Sequence, residues 1–270
     1  MSASGSGILT EYTYDALNNL RSVTQHGAGG ESSRSRSFVY DAQSRLLVST
    51  NPETGTTCYG LWSGGSCING YDGNGNLLYK TDNRGVIAGY TYDALNRMVA
   101  LKVSGGSAAT QSSCYFYGTS GSGVSYGVNR LIGEWTQTAD CPSAPTSIPS
   151  GALTSRSITA YYATGNPSSE VRCVLNHCNT STPQNYSYDY VGNLTSYNDG
   201  RGVSSFPQSF DLAGRLQTIQ RTSGGVQTPV LNIRGYDPAG WNDAVLGTSL
   251  IEKRTFDNRM RVQSEIVRKP

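Results

Sequence analysis

Apolar and polar residues alternate along short stretches of this chain, and the stretches recur with the same order of residue types. Segments 20–24 (Leu-Arg-Ser-Val-Thr) and 98–103 (Met-Val-Ala-Leu-Lys-Val) begin on an aliphatic residue and have the length of a strand. The segments that precede them, 12–14 and 90–92, both read Tyr-Thr-Tyr. Two aromatic rings two residues apart lie on one face of a strand, because side chains alternate with period two. The pattern predicts strand–turn–strand units.

Each unit carries an aromatic residue that is followed at once by aspartate. Spacings of about 20–30 residues separate these pairs in all but one interval, which indicates an internal repeat. The pairs are Tyr14-Asp15, Tyr40-Asp41, Tyr71-Asp72, Tyr92-Asp93, Tyr188-Asp189, Phe210-Asp211 and Tyr236-Asp237.

The fourth residue after the aromatic predicts a hairpin turn. It is glycine or asparagine in every copy except one, which has Ser44. Glycine and asparagine tolerate positive φ, and a turn closed by such a residue is a common hairpin connection. The aspartate opens the turn, where its carboxylate can accept a backbone N–H. We expect a left-handed conformation at Asn18, Gly75, Asn96, Gly192, Gly214 and Gly240.

Weaker copies fill the remaining parts of the chain. One lies at 115–131 with a longer loop, one begins at Tyr161-Tyr162 and lacks a residue, and one at 256–260 has a shortened turn. The prediction is an all-β array of about ten antiparallel hairpins in one continuous, curved or spiralling sheet. The array spans residues 12–270 after a flexible lead at 1–11, with degenerate, loop-rich repeats at about 104–185.

The repeated phrase Tyr/Phe-Asp-x-x-Gly/Asn-Asn/Arg-Leu resembles the YD repeat of Rhs proteins. The same repeat occurs in the B and C components of Tc toxin complexes, in wall-associated bacterial toxins and in teneurins. The resemblance covers the chain from Tyr12 to about Met260. It implies a long β-sheet that spirals into a hollow shell, which encloses a toxin domain in some members and serves cell adhesion in teneurins.

Composition agrees with a single, half-exposed sheet. The chain has 32 Gly, and 18 Tyr against 5 Phe, and only 36% of its residues are hydrophobic. Such a chain favours turns and pleated surface over a thick two-layer core. The net charge is +2 without a basic run, so neither nucleic acid nor a membrane surface is an expected partner. No apolar stretch approaches the ~20 residues of a membrane span.

The six cysteines fall as sequence neighbours. Fifteen connectivities are possible, and the sequence alone does not select one. Local pairing would tie down loops between hairpins, whereas six reduced thiols are the alternative. An even number of cysteines in a chain that resembles exported proteins favours disulfides and an extracellular or cell-surface location, bacterial in style. The expected pairs are Cys58–Cys67, Cys114–Cys141 and Cys173–Cys178.

No catalytic residue, metal site or cofactor is predicted. His26 and His177 lack a serine elbow or a similar context. Segment 173–178 offers three potential zinc ligands without the second close pair of a structural site. Segment 72–76 begins like a calcium loop, but Leu77 stands where that loop needs glycine. Segment 237–241 resembles part of an autoprotease region of some Rhs relatives and is interpreted as a repeat turn.

The favoured function is therefore a non-enzymatic, structural segment of an extracellular shell or fibre. Its partner is the remainder of a longer YD-repeat polypeptide, or another copy that continues the sheet end to end. A carbohydrate-binding or adhesive module is the alternative, in which exposed aromatic rings stack on glycans. A toxin-encapsulating cocoon is the third possibility. The candidate rings for glycan stacking are Trp62, Trp135 and Trp241.

Overall fold

A computed structural model describes residues 9–27, 31–107, 110–175, 183–198, 200 and 205–269, with the backbone alone at 177–178 and 204. Strands and turns account for this part of the chain, and none of it is helical, so the all-β prediction is confirmed. Two compact units are present: unit 1 is Met1–Phe116 with Trp135–Ser147, and unit 2 is Tyr117–Glu134 with Ile148–Pro270. Since each unit is described by itself, the single array over 12–270 stays a prediction.

The strands are short, as expected for repeats of this length. The first eleven are β1 (Thr10–Tyr14), β2 (Leu20–Gln25), β3 (Arg34–Tyr40), β4 (Leu46–Asn51), β5 (Gly55–Cys58), β6 (Leu61–Ser63), β7 (Ser66–Ile68), β8 (Tyr79–Thr81), β9 (Ile87–Tyr92), β10 (Met98–Ser104) and β11 (Gln111–Tyr117). The others are β12 (Leu131–Gln137), β13 (Thr154–Tyr161), β14 (Pro167–Val174), β15 (His177–Cys178), β16 (Gln184–Tyr188), β17 (Leu194–Tyr197), β18 (Ser204–Ser205), β19 (Gln208–Phe210), β20 (Leu216–Ser223), β21 (Val226–Asp237), β22 (Gly240–Leu246), β23 (Leu250–Phe256) and β24 (Val262–Arg268).

In unit 1 the strands form an antiparallel meander. The order is β1-β2-β3-β4-β5-β8-β9-β10-β11, and β6 and β7 pair only with each other as a separate hairpin. The register shifts by one residue at the repeat aromatic, for example between Thr13 and Tyr14 and between Val39 and Tyr40. This bulge accommodates the extra residue of the repeat turn, as the turn chemistry predicts.

In unit 2 the described strand pairings fall into two groups. One sheet contains β13-β14-β16-β17, with β15 on β14, and the other contains β18-β20-β21-β22-β23-β24, with β19 on β20. They are connected by an isolated bridge from Asn198 to Ser205 and by a hydrogen bond of 2.7 Å from Phe206 N to Tyr197 O. The rings of Tyr197 and Phe206 also stack at a centroid distance of 4.8 Å. We call this junction between β17 and β19, where residues 199 and 201–203 lie outside the described part of the chain, the seam.

Buried apolar residues are few in the described part of the chain, because a single sheet leaves both of its faces partly exposed to water. Trp135 on β12 is one of them and packs edge-to-face on Phe116 at a centroid distance of 6.0 Å. The complete set of buried apolar residues is Cys58, Cys114, Ile132, Trp135, Ala152, Ile158, Tyr161, Ile233 and Ala244.

Disulfides replace part of the missing core. Cys58 is bonded to Cys67, and Cys114 is bonded to Cys141. Cys173 is also disulfide-bonded, and its backbone pairs with that of Cys178. The side chain of Cys178 lies outside the described residues, so the third predicted bond stays a prediction.

Candidate functional site in the repeat turns

The aspartate of each repeat organises its turn through its carboxylate. In the first copy, Asp15 Oδ1 accepts hydrogen bonds from the backbone N–H of Leu17 (2.9 Å) and of Asn19 (2.8 Å). Its Oδ2 accepts a third bond from Asn19 Nδ2 at 3.0 Å. The backbone closes the turn, because Asn18 N donates to Asp15 O at 3.0 Å. An aspartate is needed here because only a short carboxylate reaches these donors at once.

The same geometry recurs along the chain. Asp41, for example, accepts from the N–H groups of Gln43 and Arg45 at 2.9 Å each, and from Arg45 Nε at 2.7 Å. The fourth residue after the aromatic has a positive φ, in the left-handed region, in each of these copies. Its φ is 64° at Asn18, 60° at Ser44, 86° at Gly75, 59° at Asn96, 96° at Gly192 and 74° at Gly214.

Sequence reasoning missed one turn of this type and misread another. Asp82 N donates to Val86 O, and Gly85, with a φ of 77°, donates to Asp82 O. Thr81 stands where the aromatic residue was sought, so the copy escaped notice. The copy at Tyr161 does not lack a residue: Tyr162 occupies the aspartate position and Gly165 N donates to its carbonyl.

Two further expectations about turns are wrong. The last copy is not shortened, because Asp257 N donates to Arg261 O and Met260 takes the left-handed position with a φ of 62°. Asp237 does not open a repeat turn. It pairs directly with Gly240 at the end of a two-residue hairpin, and Gly240 has a φ of 143°. The shorter connection explains why the repeat phrase breaks after this copy.

Tyrosine hydroxyls join consecutive repeats. Tyr71 donates to the carbonyl of Leu46 at 2.8 Å, and Tyr92 donates to the carbonyl of Leu77 at 3.0 Å. In both pairs the acceptor is the residue that directly follows the turn of an earlier aromatic–aspartate copy. Tyr161 and Tyr236 make the equivalent bonds to Leu131 and Leu216. The bond explains why most repeats use tyrosine, since phenylalanine has no hydroxyl to donate.

Arginine at the end of a turn strengthens the same junction. Arg45 holds Asp41 of its own turn, and its guanidinium lies 4.7 Å from the ring centroid of Tyr71 in the next copy. Arg215 lies 4.4 Å from the ring of Tyr236 in the same way. A guanidinium over an aromatic face is attracted by the ring quadrupole. We call the aspartate, the arginine and the next tyrosine with its hydroxyl bond the interlock.

The sequence contains one indication of the interlock, at the last position of the turn. Asparagine or arginine ends the turn in most copies, and each has a side-chain donor that reaches back to the aspartate, as at Asn76 and Arg97. The bond from one repeat to the carbonyl of the previous one depends on which strands are neighbours, and a single copy does not reveal this.

The interlock is absent at the seam. The aromatic of that copy is Phe210, and the preceding turn ends in Asn193 rather than arginine. Neither the hydroxyl bond nor the stacked guanidinium can therefore form. A cavity of about 430 Å³ opens between the two turns, in contact with Asn193, Thr195 and Phe210. The copy at Phe210 therefore lacks the two contacts that join Tyr71 and Tyr236 to the copies before them.

Restoring the missing hydroxyl should close this junction. We expect Phe210→Tyr to raise the free energy of unfolding by about 0.5–1 kcal/mol, because a new bond to the carbonyl of Leu194 becomes available. Urea unfolding followed by circular dichroism measures the change. Phe256→Tyr is the control for adding a hydroxyl to a repeat aromatic away from the seam. Equal effects of the two substitutions, or a loss at Phe210, would contradict the account of the seam.

Removing a hydroxyl that already makes the bond between repeats should have the opposite effect. Tyr92→Phe is expected to lower the free energy of unfolding by about 1 kcal/mol, since the carbonyl of Leu77 loses its donor. Tyr14→Phe is the matched control, because Tyr14 belongs to the first copy and is 55% exposed. Chemical denaturation of both variants tests the claim, and equal stability of the two proteins would refute it.

The turn carboxylates also make the fold sensitive to acid. The bond from the Asn19 side chain lowers the pKa of Asp15, and the backbone N–H of Arg45 lowers the pKa of Asp41. A carboxyl whose pKa is lower in the folded chain stabilises the fold above its unfolded pKa of about 3.9. This stabilisation is lost as the pH falls through the folded value.

We therefore expect the urea midpoint to fall steeply below about pH 4 while it stays nearly constant between pH 5 and 7. Denaturation at a series of pH values between 2 and 7 measures this dependence. Asp41→Asn should weaken the protein at neutral pH and reduce the slope below pH 4. A midpoint that is independent of pH down to pH 2 would show that the turn carboxylates do not contribute.

The three tryptophans differ in their surroundings. Trp135 is only 2% exposed, so the expectation that its ring is available to a glycan is wrong. This burial depends on the neighbours of β12, which the sequence of a single strand does not reveal. The ring of Trp241 is covered by the guanidinium of Arg254 at 3.8 Å. Trp62 is 51% exposed and stays a candidate.

Catalytic and metal chemistry find little support among the residues that the structure describes. No group of three or more His, Cys, Asp or Glu side chains is arranged to hold a metal ion there. His26 contacts Glu11 at 2.6 Å on an exposed surface. The repeated aspartates already accept bonds from their own turns, so they are not free to pair over a substrate.

Comparison with known proteins agrees with this geometry. The RHS Repeat family model matches residues 71–108, which contain the turns of Asp72, Asp82 and Asp93. No curated protein matches the chain significantly. The predicted resemblance to the Rhs and YD-repeat proteins is confirmed by this match together with the similar structures below.

Solved structures similar to the chain come from Tc toxins. The crystal structure of TcdB2-TccC3 without the hypervariable C-terminal region has a TM-score of 0.66 at 14% identity, covering 97% of this chain and 13% of that one. The Tc holotoxin pore of Photorhabdus luminescens, with a substitution in TccC3, has a TM-score of 0.61 at 15% identity, covering 97% and 14%. A further TcdB2-TccC3 crystal structure gives 0.60 at 16% identity, covering 97% and 14%. At these identities the likeness concerns the fold, and this chain, which contains an RHS repeat, has the all-β fold seen in about one seventh of those longer proteins.

Proposed function

We propose that the chain is a non-enzymatic, structural segment of the wall of an Rhs/YD-repeat shell or fibre. The interlock carries this proposal. In the interlock, the characteristic residues of the repeat, such as Asp41, Arg45 and Tyr71, join one hairpin to the next. Residues that define a repeat and are engaged in this way support a structural sheet rather than a reaction.

The expected surroundings of such a wall are extracellular. The bonds Cys58–Cys67 and Cys114–Cys141 support an oxidising compartment, since disulfides persist outside the reducing cytosol. The described residues contain no helix that is long and apolar enough to cross a membrane. A toxin-encapsulating cocoon is one form of such a wall, and the fold shared with a Tc holotoxin pore supports it.

The wall continues through pairing of strand edges, either within a longer polypeptide or between copies. β24 pairs only with β23 among the described strands, and all of its residues are exposed. Val262, Ile266 and Val267 are each more than half exposed. An edge of this kind offers unpaired N–H and C=O groups to another strand. The similar toxin structures are much longer than this chain, which supports a partner strand from the same polypeptide.

Light scattering over a concentration series, combined with electron microscopy, tests continuation between copies. We expect rings or fibres, because joining two different edges is a heterologous contact. Val262→Lys should suppress them by placing a charge on the free edge. Val226→Lys is the matched control, since Val226 is 64% exposed on β21, which has neighbours on both sides. A monodisperse monomer at high concentration would overturn self-continuation, and a compact globule in the images would overturn the wall itself.

A further inference from the structure

We propose that the β6–β7 hairpin and the turn of Asp82 form a binding site for the end of a neutral glycan. The site lies within unit 1, and it does not depend on the role of the wall. β5 pairs directly with β8, so the main sheet does not include β6 and β7. The hairpin therefore adds no strand to the wall. Its position is explained by what it presents, namely Trp62.

Trp62 is held in place although it is exposed. Its ring remains 51% accessible, whereas a tryptophan on a sheet face gains most from burial. Its register partner across the hairpin is Cys67, and Cys67 is bonded to Cys58 on β5. The disulfide thus anchors the residue opposite Trp62 to the main sheet. A fixed, exposed aromatic ring at low conformational cost is a feature of ligand-binding surfaces.

A cavity lies beside this ring. Its volume is about 330 Å³, at the lower end of the range of about 300–1,000 Å³ for small-ligand sites. This size suits the end of a glycan better than a long stretch of chain. The lining residues are Thr56, Cys58, Trp62, Thr81, Asp82, Asn83 and Gly85.

The polar groups in and directly beside the cavity carry no net charge. Asn83 Oδ1 accepts from Thr56 N at 3.4 Å, while Asn83 Nδ2 has no partner among the described residues. Asp82 is neutralised by Arg84, whose Nη2 lies 2.6 Å from its carboxylate. Because this pair is satisfied, the cavity offers neither a free anion for a cationic ligand nor a free cation for a phosphate. The Asn83 amide remains as a donor. The hydroxyl of Thr56 shares a hydrogen bond with Thr50 at 3.2 Å, and that of Thr81 donates to Gly60 O at 2.8 Å, so both can still accept a bond.

A pyranose ring matches this combination. One face of the sugar carries C–H groups that pack on a flat indole, and its rim carries hydroxyls that bond to amide and hydroxyl groups. A pocket that joins an aromatic wall with a few placed polar groups fixes such a ligand in one orientation. The geometry therefore favours a neutral oligosaccharide with Trp62 below the ring and Asn83 at its rim.

Titration calorimetry of the purified chain with maltotetraose, cellotetraose and chitotetraose tests the site. At least one of the three sugars should bind. Trp62→Ala should lower the affinity for that sugar by about tenfold or more, and Asn83→Ala should lower it by about threefold to tenfold. Tyr190→Ala is the control, because Tyr190 is fully exposed and does not line the cavity beside Trp62. Its affinity should equal that of the unmodified protein.

The disulfide allows a second, independent test of the site. Cys58→Ala/Cys67→Ala should weaken binding about as much as Trp62→Ala, since the hairpin loses its anchor. Near-ultraviolet circular dichroism and the denaturation midpoint show whether the rest of the sheet is intact in each variant. The proposal is overturned if none of the three sugars binds at millimolar concentration, or if Trp62→Ala binds as tightly as Tyr190→Ala.

Discussion

Replacing Glu170 with alanine is expected to lower the free energy of unfolding by about 3–5 kcal/mol, which is the usual cost of breaking a buried ion pair. The Glu170 side chain is only 1% exposed. It accepts from Arg156 Nε at 2.7 Å, from Arg172 Nε at 2.5 Å and from the Tyr186 hydroxyl at 2.7 Å. Three strands, β13, β14 and β16, meet at this one carboxylate.

The charge state of the group follows from its partners. Burial alone would raise the pKa of Glu170, but the bonds from Tyr186 and Arg156 outweigh it, and the pKa lies below its ordinary value. Burial and the neighbouring carboxylate raise the pKa of Tyr186 to about 12. The pair is therefore a carboxylate and a neutral phenol at neutral pH. Removing the carboxylate leaves Arg156 without its main counter-charge.

Two variants separate this cost from a general effect of truncation. Glu170→Gln keeps the size of the side chain and should cost less than alanine, because an amide oxygen still accepts hydrogen bonds. Glu134→Ala removes a carboxylate 3.7 Å from the same arginine at an exposed site, and it should change stability by less than about 1 kcal/mol. Urea denaturation compares all three. A loss at Glu170 no larger than the loss at Glu134 would contradict the network.

The second large effect is expected at the Cys114–Cys141 disulfide. Replacing both cysteines with alanine should cost about 3.5 kcal/mol by the chain-entropy relation, because the bond closes a loop of 27 residues. The same exchange at Cys58 and Cys67 should cost about 2.5 kcal/mol, because those residues are 9 apart. Cys114 is also completely buried, which adds the packing of its sulfur.

Denaturation under identical conditions ranks the two variants. A larger loss for the Cys58 and Cys67 pair would show that loop closure is not the main contribution of these bonds. Peptide mapping without reductant verifies the connectivity and at the same time examines Cys173 and Cys178. Finding free thiols at all six positions would remove the support for an oxidising compartment.

Local chemistry made the turns predictable. Glycine or asparagine at one position and aspartate three residues before it define the backbone of a turn, whatever surrounds it, and Gly75 and Asn96 have the left-handed φ that was expected. The copy at Asp82 shows the limit of this reasoning. Its turn is complete although Thr81 replaces the aromatic, because the aromatic belongs to the junction between repeats and not to the turn.

Interactions between strands were not predictable in the same way. The bond from Tyr71 to Leu46 and the stacking of Arg45 need the neighbour of each strand to be known. Burial of Trp135 depends on which face of β12 is covered, and alternation alone leaves both faces open. The Phe210 copy lacks the hydroxyl and the preceding arginine, and a phenylalanine in place of tyrosine looks conservative until the role of the hydroxyl is known.

The interlock also determines how unfolding spreads through unit 2. When each repeat is coupled only to its neighbours, the chain behaves as a one-dimensional series, and cooperativity passes from one hairpin to the next through these junctions. The junction at Phe210 lacks both of these couplings, so we expect cooperativity to be weakest there. In that case the strands β19–β24 would open at a lower free energy than β13–β17, and a destabilising change on one side of Phe210 would be felt less on the other side.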